Sequence, residues 1–235
     1  MKKINYIALL LCACLTSNGI SAQENAVKLG ISDFLYGGLH FNYEYVLSDN
    51  QSVALNVTTL IPRELPTFFF EEEVDDALEI INRVSGFAIT PEYRFYTGNN
   101  GAPRGFYIAP YLRYSKYSVE FSDKVEGENY EVTGGVSTFG GGVQFGAQWL
   151  VSDAFVIDLY FLGLGADRHN VFIEYSSDDE NTDYEQLAND IDEDLSDATI
   201  IGSRFSTEHG DDFVRVEAPF VYLGLRAGLS IGYAF

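Results

Sequence analysis

Cysteine is nearly missing from this 235-residue chain, and the two that occur, Cys12 and Cys14, sit close to its start. Disulfides, thiol chemistry and cysteine-based metal sites are thereby excluded from everything that follows them. Basic residues are also scarce. Fourteen Lys+Arg face 35 Asp+Glu, for a formal net charge of -21. Such acidity excludes a nucleic-acid-binding protein, which needs basic surface against phosphates. Beyond the N-terminal segment there is no apolar run of about 18 residues, so the sequence holds no helical membrane span. What is plentiful is aromatic side chains and glycine: 18 Phe, 16 Tyr and 22 Gly. That aromatic content is too high for a long disordered chain.

The first residues read as a targeting segment. Met1-Lys2-Lys3 is basic, Ile4 to Leu15 is apolar, and Gly19-Ile20-Ser21-Ala22 is a run ending on small residues. This order is that of a secretory signal, with cleavage expected after Ala22. The domain division is therefore 1–22 signal peptide and 23–235 mature domain, the latter without cysteine. A lipoprotein reading of Leu11-Cys12-Ala13-Cys14, with Cys14 lipidated, is the alternative.

Eight segments of the mature chain alternate with a period of two, the pattern of strands whose faces meet different surroundings. They lie near Val27–Phe34, Leu39–Leu47, Ser52–Ile61, Gly86–Tyr96, Gly105–Tyr117, Thr138–Leu150, Ala154–Ala166 and Pro219–Phe235. Short connections alternate with long ones. One face of each segment is large and apolar, as in Phe106, Ile108, Leu112 and Tyr114. The other mixes small residues with charge, as in Gly140, Gly142, Gln144 and Gly146. A roomy apolar face opposite a crowded polar one predicts an all-β fold: a closed antiparallel up-and-down transmembrane β-barrel of eight strands. A ten-stranded barrel is the alternative, should Ile200–Phe205 and Phe213–Glu217 enter the wall. Lys28, Glu44, Glu92, Arg94, Arg113, Asp158 and Arg226 fall on the crowded face. They predict a salt-bridged interior, with Glu92, Arg94 and Arg113 as its central triad.

The long connections near 61–85, 117–134 and 167–212 hold 27 acids against five basic residues, nearly all of the net negative charge. Within them Glu71–Arg83 and Tyr184–Leu195 carry helical apolar spacing. Asp178-Asp179-Glu180 with Asp183, and Asp190-x-Asp192-Glu193-Asp194, offer oxygen ligands of the kind calcium takes. Neither matches a calcium-loop motif. No cofactor and no metal site is therefore assigned, with Ca²⁺ at the acidic loops the one alternative. No nucleophile–base motif is present. Ser32 or Ser137 beside His40 or His169 is the only pairing to weigh, and the chain is read as no enzyme.

The final strand, Arg226-x-Gly228-x-x-Ile231-x-Tyr233 ending on Phe235, resembles the assembly signal of bacterial outer-membrane proteins. Ile89-Thr90-Pro91-Glu92-Tyr93-Arg94-Phe95-Tyr96 and the stretch Gly105–Tyr114 resemble the small outer-membrane β-barrel proteins of unknown function common in Bacteroidota. That resemblance implies a cell outer membrane location and contacts with outer-membrane lipid and lipopolysaccharide. It also implies an encounter with the barrel-assembly machinery through the C-terminal strand. The function expected is structural or interaction work in the cell envelope, through acidic extracellular loops meeting an unidentified ligand. A narrow pore or facilitator for small solutes or cations is the alternative.

Overall fold

The computed structural model describes residues 24–35, 37–63, 81–98, 101–125, 128–152, 154–179, 182–196, 199–200 and 203–235. The signal segment 1–22 lies outside the described residues, as does most of the helix expected at Glu71–Arg83. The last residues of that expected helix, from Ile81, begin a strand instead.

In chain order the elements are β1 (Asn25–Gly30), α1 (Ile31–Leu35), β2 (Gly38–Ser48), β3 (Gln51–Arg63), β4 (Ile81–Thr97), β5 (Gly105–Val125), β6 (Glu128–Val151) and β7 (Phe155–Ser177). There follow α2 (Tyr184–Leu195), β8 (Thr199–Ile200), β9 (Ser203–Arg204), β10 (Ser206–His209) and β11 (Val214–Ala234). One antiparallel sheet runs β1-β2-β3-β4-β5-β6-β7-β11-β10, and β1 also pairs with β11. That last pairing, from Ala26 opposite Ala234 to Gly30 opposite Ser230, turns the sheet into a ring.

The expectation of a closed eight-stranded transmembrane barrel is corrected. The sheet has nine strands, and its ring does not have the shape of a closed barrel. The physical reason is that alternation reports which face a side chain takes. It carries nothing about how far strands run past one another or about the cross-section they enclose. Strands β5, β6 and β7 reach 21, 24 and 23 residues, well past the expected segments. The ten-stranded alternative fails as well, because β10 pairs only with the start of β11, at Val214–Glu217. The outer-membrane location, the lipid and lipopolysaccharide contacts, the assembly-machinery encounter, the envelope role and the pore alternative all rested on that barrel and are withdrawn with it. Among the described residues no helix is long and apolar enough to cross a membrane.

The two faces of the ring differ as their sequence does. Inside, Lys28, Glu44, Arg94, Gln144, Gln148, Asp158 and Asp167 are buried. Outside, Phe41, Tyr43, Leu112, Phe139, Leu164, Leu223 and Leu225 are exposed. Glycine makes the crowded interior possible, because the missing side chain is the space a neighbour's side chain fills. Tyr107 lies over Gly146, Tyr160 over Gly228, and Arg226 over Gly163. Helix α2 packs Tyr184 and Ala188 against Val214 of β11. It starts at Asp183, whose side chain accepts a hydrogen bond from the Gln186 amide at 2.9 Å.

Candidate functional site

The inner face carries the chemistry, and it divides into two neighbourhoods. The first is a charge network across the ring. Strand β1 supplies Lys28, β2 Glu44, β4 Glu92 and Arg94, and β7 Asp158. Lys28 Nζ donates to Glu44 Oε2 at 2.7 Å, to Asp158 Oδ2 at 2.6 Å and to Gln148 Oε1 at 2.7 Å. Arg94 grips Glu92 Oε2 through Nε at 3.0 Å and Nη2 at 2.8 Å. Its Nη1 donates to Asp158 Oδ2 at 2.7 Å and to Glu44 Oε2 at 3.2 Å. Two tyrosines finish the carboxylates: Tyr96 donates to Glu44 Oε1 at 2.5 Å, and Tyr107 to Asp158 Oδ1 at 2.8 Å.

Burial alone would raise the Asp158 carboxyl, but Arg94 and Lys28 outweigh it and hold the group well below the usual carboxylate range. Burial is likewise the largest influence on Glu44, and Lys28 with Arg94 overcomes it, so its value is lowered. The Tyr96 and Tyr107 hydroxyls are pushed well up, first by burial. They are therefore fixed donors, and this neighbourhood holds its charges in place rather than exchanging protons.

The second neighbourhood lies further along the strands. Arg113 on β5 pairs with Asp167 on β7. They sit two strands apart, separated only by Gly140, over which no side chain intervenes. The predicted triad is thus corrected: Glu92 and Arg94 join, whereas Arg113 goes to Asp167, a residue the sequence reading placed in a loop. Arg226 stacks against Tyr111 and Tyr160, 4.7 and 5.1 Å from the ring centroids. Its closest carboxylate oxygen is Glu92 Oε1, at 4.0 Å. Gln144 on β6 is fully buried, and neither of its amide atoms has a hydrogen-bond partner. The sequence places Gln144, Gln148 and Tyr107 on the crowded face but gives them no partner, and Tyr96, which falls on the same inward alternation, carries no signal of its own.

The histidines are not brought to the serines considered for catalysis. His40 Nε2 donates to Asn56 Oδ1 at 3.1 Å, and its Nδ1 accepts from the Thr58 hydroxyl at 2.9 Å. This tautomer follows from Asn56, whose Nδ2 is committed to the Thr90 carbonyl at 3.1 Å. Asp33 lies 3.5 Å from Nδ1. Burial nevertheless dominates and lowers the His40 value below 6.5. Ser32 instead accepts from the Leu229 amide at 3.3 Å. His169 bonds Thr138 at 2.9 Å and stacks on Phe220. Among the described residues, no group of three or more His, Cys, Asp or Glu could hold a metal ion.

Together these features define a mostly-β domain with a polar, charge-paired interior and an apolar exterior. The chain belongs to the family described as "Protein of unknown function (DUF3575)", which matches residues 7–186. That family replaces the resemblance to small outer-membrane barrels. No curated protein matches the chain.

Proposed function

We propose that the domain does no chemistry of its own and works as a scaffold that associates through its apolar outer face. One observation carries this reading: the placement of side chains is inverted, with charge inside the ring and large apolar groups outside it. Contiguous apolar surface beyond a few hundred Å² marks an interaction site. The face is not smooth. A groove of about 530 Å³ crosses β2 to β5, lined mainly by Tyr43, Tyr45, Leu55, Pro91, Tyr93 and Leu112. Such a groove fits large aliphatic or aromatic side chains of a protein partner, each worth about 1.5–3 kcal/mol when fully buried. The inner charges are consumed in holding one another, which supports structure rather than turnover.

Light scattering on the purified chain in plain buffer, with a dye that fluoresces on apolar surfaces, tests this reading. The expected result is strong dye binding and concentration-dependent association, both reduced in Leu55→Glu/Leu112→Glu and unchanged in His40→Ala. A chain that stays monomeric and dye-silent contradicts the reading. Uptake into lipid vesicles in place of protein association overturns it as well.

A further inference from the structure

We infer that the free edge of β11 is a docking site for an extended peptide segment of a partner protein, which adds a strand to the sheet and sets an acidic side chain against Arg168. The hydrogen bonding of β11 defines that edge. Phe235 and Asn25 exchange both of their main-chain hydrogen bonds, at 2.9 and 3.0 Å, whereas the Ala234 amide donates to Ala154 on the β7 side. Odd-numbered residues of β11 therefore aim their N–H and C=O toward β1, and even-numbered ones toward β7. The irregularity between Arg226 and Gly228 puts its extra residue in β7, where Gly163 is followed in register by Tyr160, so β11 keeps its alternation.

The partner on the β1 side runs out partway along the strand. The last pair is Gly30 with Ser230, and the Leu229 amide donates to Ser32 of α1 instead. At the far end the Gly210 amide donates to the Phe213 carbonyl, and β10 covers Val214–Glu217. Between these limits the ladder to β7 continues, but among the described residues no strand pairs with the other edge. Val221, Leu223, Leu225 and Ala227 thus present main-chain donors and acceptors to an empty position. Exposure agrees. Val221 is 65% exposed, Leu223 and Leu225 are each 76% exposed, and Tyr222, on the opposite face, is 57% exposed. A strand open on both faces at once lacks a neighbour at its side. Little on this edge blocks pairing in the way lysines or a bulge would. Arg226 turns into the ring against Tyr111 and Tyr160. Pro219 is odd-numbered, so its missing N–H faces the gap, leaves the β7 ladder whole and sets the end of the pairing.

Beside the edge lie a pocket and a charge. A cavity of about 250 Å³ is lined by Arg168, Pro219, Phe220 and Val221. Arg168 stands opposite Val221 on one side and Phe139 on the other, so it shares their apolar outer face. It is exposed, and among the described residues it has no ion pair. Its guanidinium offers a paired set of donors to a carboxylate. An added strand with apolar side chains beside Leu223 and Leu225, and an acidic one level with Val221, satisfies edge, pocket and charge together. The edge is separate from the β2–β5 groove, so this docking does not rest on the association proposed above.

Fluorescence anisotropy of a labelled peptide tests the proposal. The probe alternates valine and threonine and carries one central glutamate in a valine position. It should bind the full chain saturably, and a probe with lysine in place of that glutamate should bind roughly tenfold more weakly. Arg168→Glu should reverse that preference. Leu223→Pro removes an edge N–H in the phase that Pro219 already occupies, so it spares the β7 ladder and should abolish binding. A glutamate probe N-methylated along its pairing edge should fail to bind the unaltered chain, a result independent of how any variant folds. No saturable binding, equal binding of the N-methylated probe, or an unchanged preference in Arg168→Glu overturns the proposal. So does sedimentation showing the edge taken by a second copy, as a dimer that Leu223→Pro dissociates and the glutamate probe does not displace.

Discussion

Replacing Arg94 by methionine tests the inner lock most severely. In the intact network two cations, Lys28 and Arg94, face three carboxylates, Glu44, Glu92 and Asp158, all buried. Arg94 alone reaches all three carboxylates. Arg94→Met keeps the volume but leaves Lys28 facing three carboxylates. Glu92 also loses both of its contacts from Arg94, at 3.0 and 2.8 Å. Removing one partner of a buried ion pair costs about 3–5 kcal/mol. In a chain of this size that corresponds to a melting shift of roughly 6–20 °C. The single tryptophan, Trp149 on β6, neighbours Gln148 of the network, so its fluorescence reports urea unfolding from within the affected region. The stability gap at pH 7 should narrow on acidification, because the stranded carboxylates of the variant can take up protons. A gap within about 0.5 kcal/mol, the range of ordinary surface substitutions, would show that Arg94 does not lock the three carboxylates. A gap that stays constant from pH 7 to pH 4 would show the same.

Other consequences can be measured separately. Asp158 is held low in the fold, so its contribution is present above the unfolded value of about 4 and is lost as pH falls through the folded one. The stability difference between wild type and Asp158→Asn should therefore shrink in strong acid, and a difference that grows would contradict the sign. His40 is also lowered, so wild type should lose stability relative to His40→Gln as pH drops below 6.5. Gly142→Ala places a methyl against the Leu164 carbonyl oxygen, whereas a methyl at Gly134 meets nothing within 4 Å. Thermal unfolding should show a loss of about 1–3 kcal/mol for the first substitution. It should show no loss for the second. Asp183→Ala removes the cap of α2 and should cost that helix about 1 kcal/mol, read as faster amide exchange at Gln186.

The strands and the inward charges could be read from alternation because both depend on local spacing. Lys28, Glu44, Arg94 and Asp158 each fall on the crowded face of their own segment, and each is buried. Helix α2 was equally legible, since its apolar spacing is local. Partners across the ring were not. Arg113 finds Asp167 only because β5, β6 and β7 align with Gly140 between them, and no local pattern encodes that register. Asp167 seemed to begin a loop because the polar run Asp167-Arg168-His169 interrupts the apolar alternation, although β7 runs unbroken through it to Ser177. The cross-section of the ring was the largest miss. A period of two fixes which face a residue takes, but it is the same whatever shape the sheet adopts.

Strands β1 and β11 join the ring, and its apolar side chains turn outward. Leu29 and Ile231 stand opposite each other across that seam. The direct measurement is cross-linking of Leu29→Cys/Ile231→Cys by a short bifunctional thiol reagent, with Cys12 and Cys14 changed to serine. Rapid modification of both thiols and a high yield of the intramolecular cross-link are expected. Thiols that react singly but never join would show an open seam. Thiols that resist the reagent in the dispersed, folded protein would show that this face does not point outward.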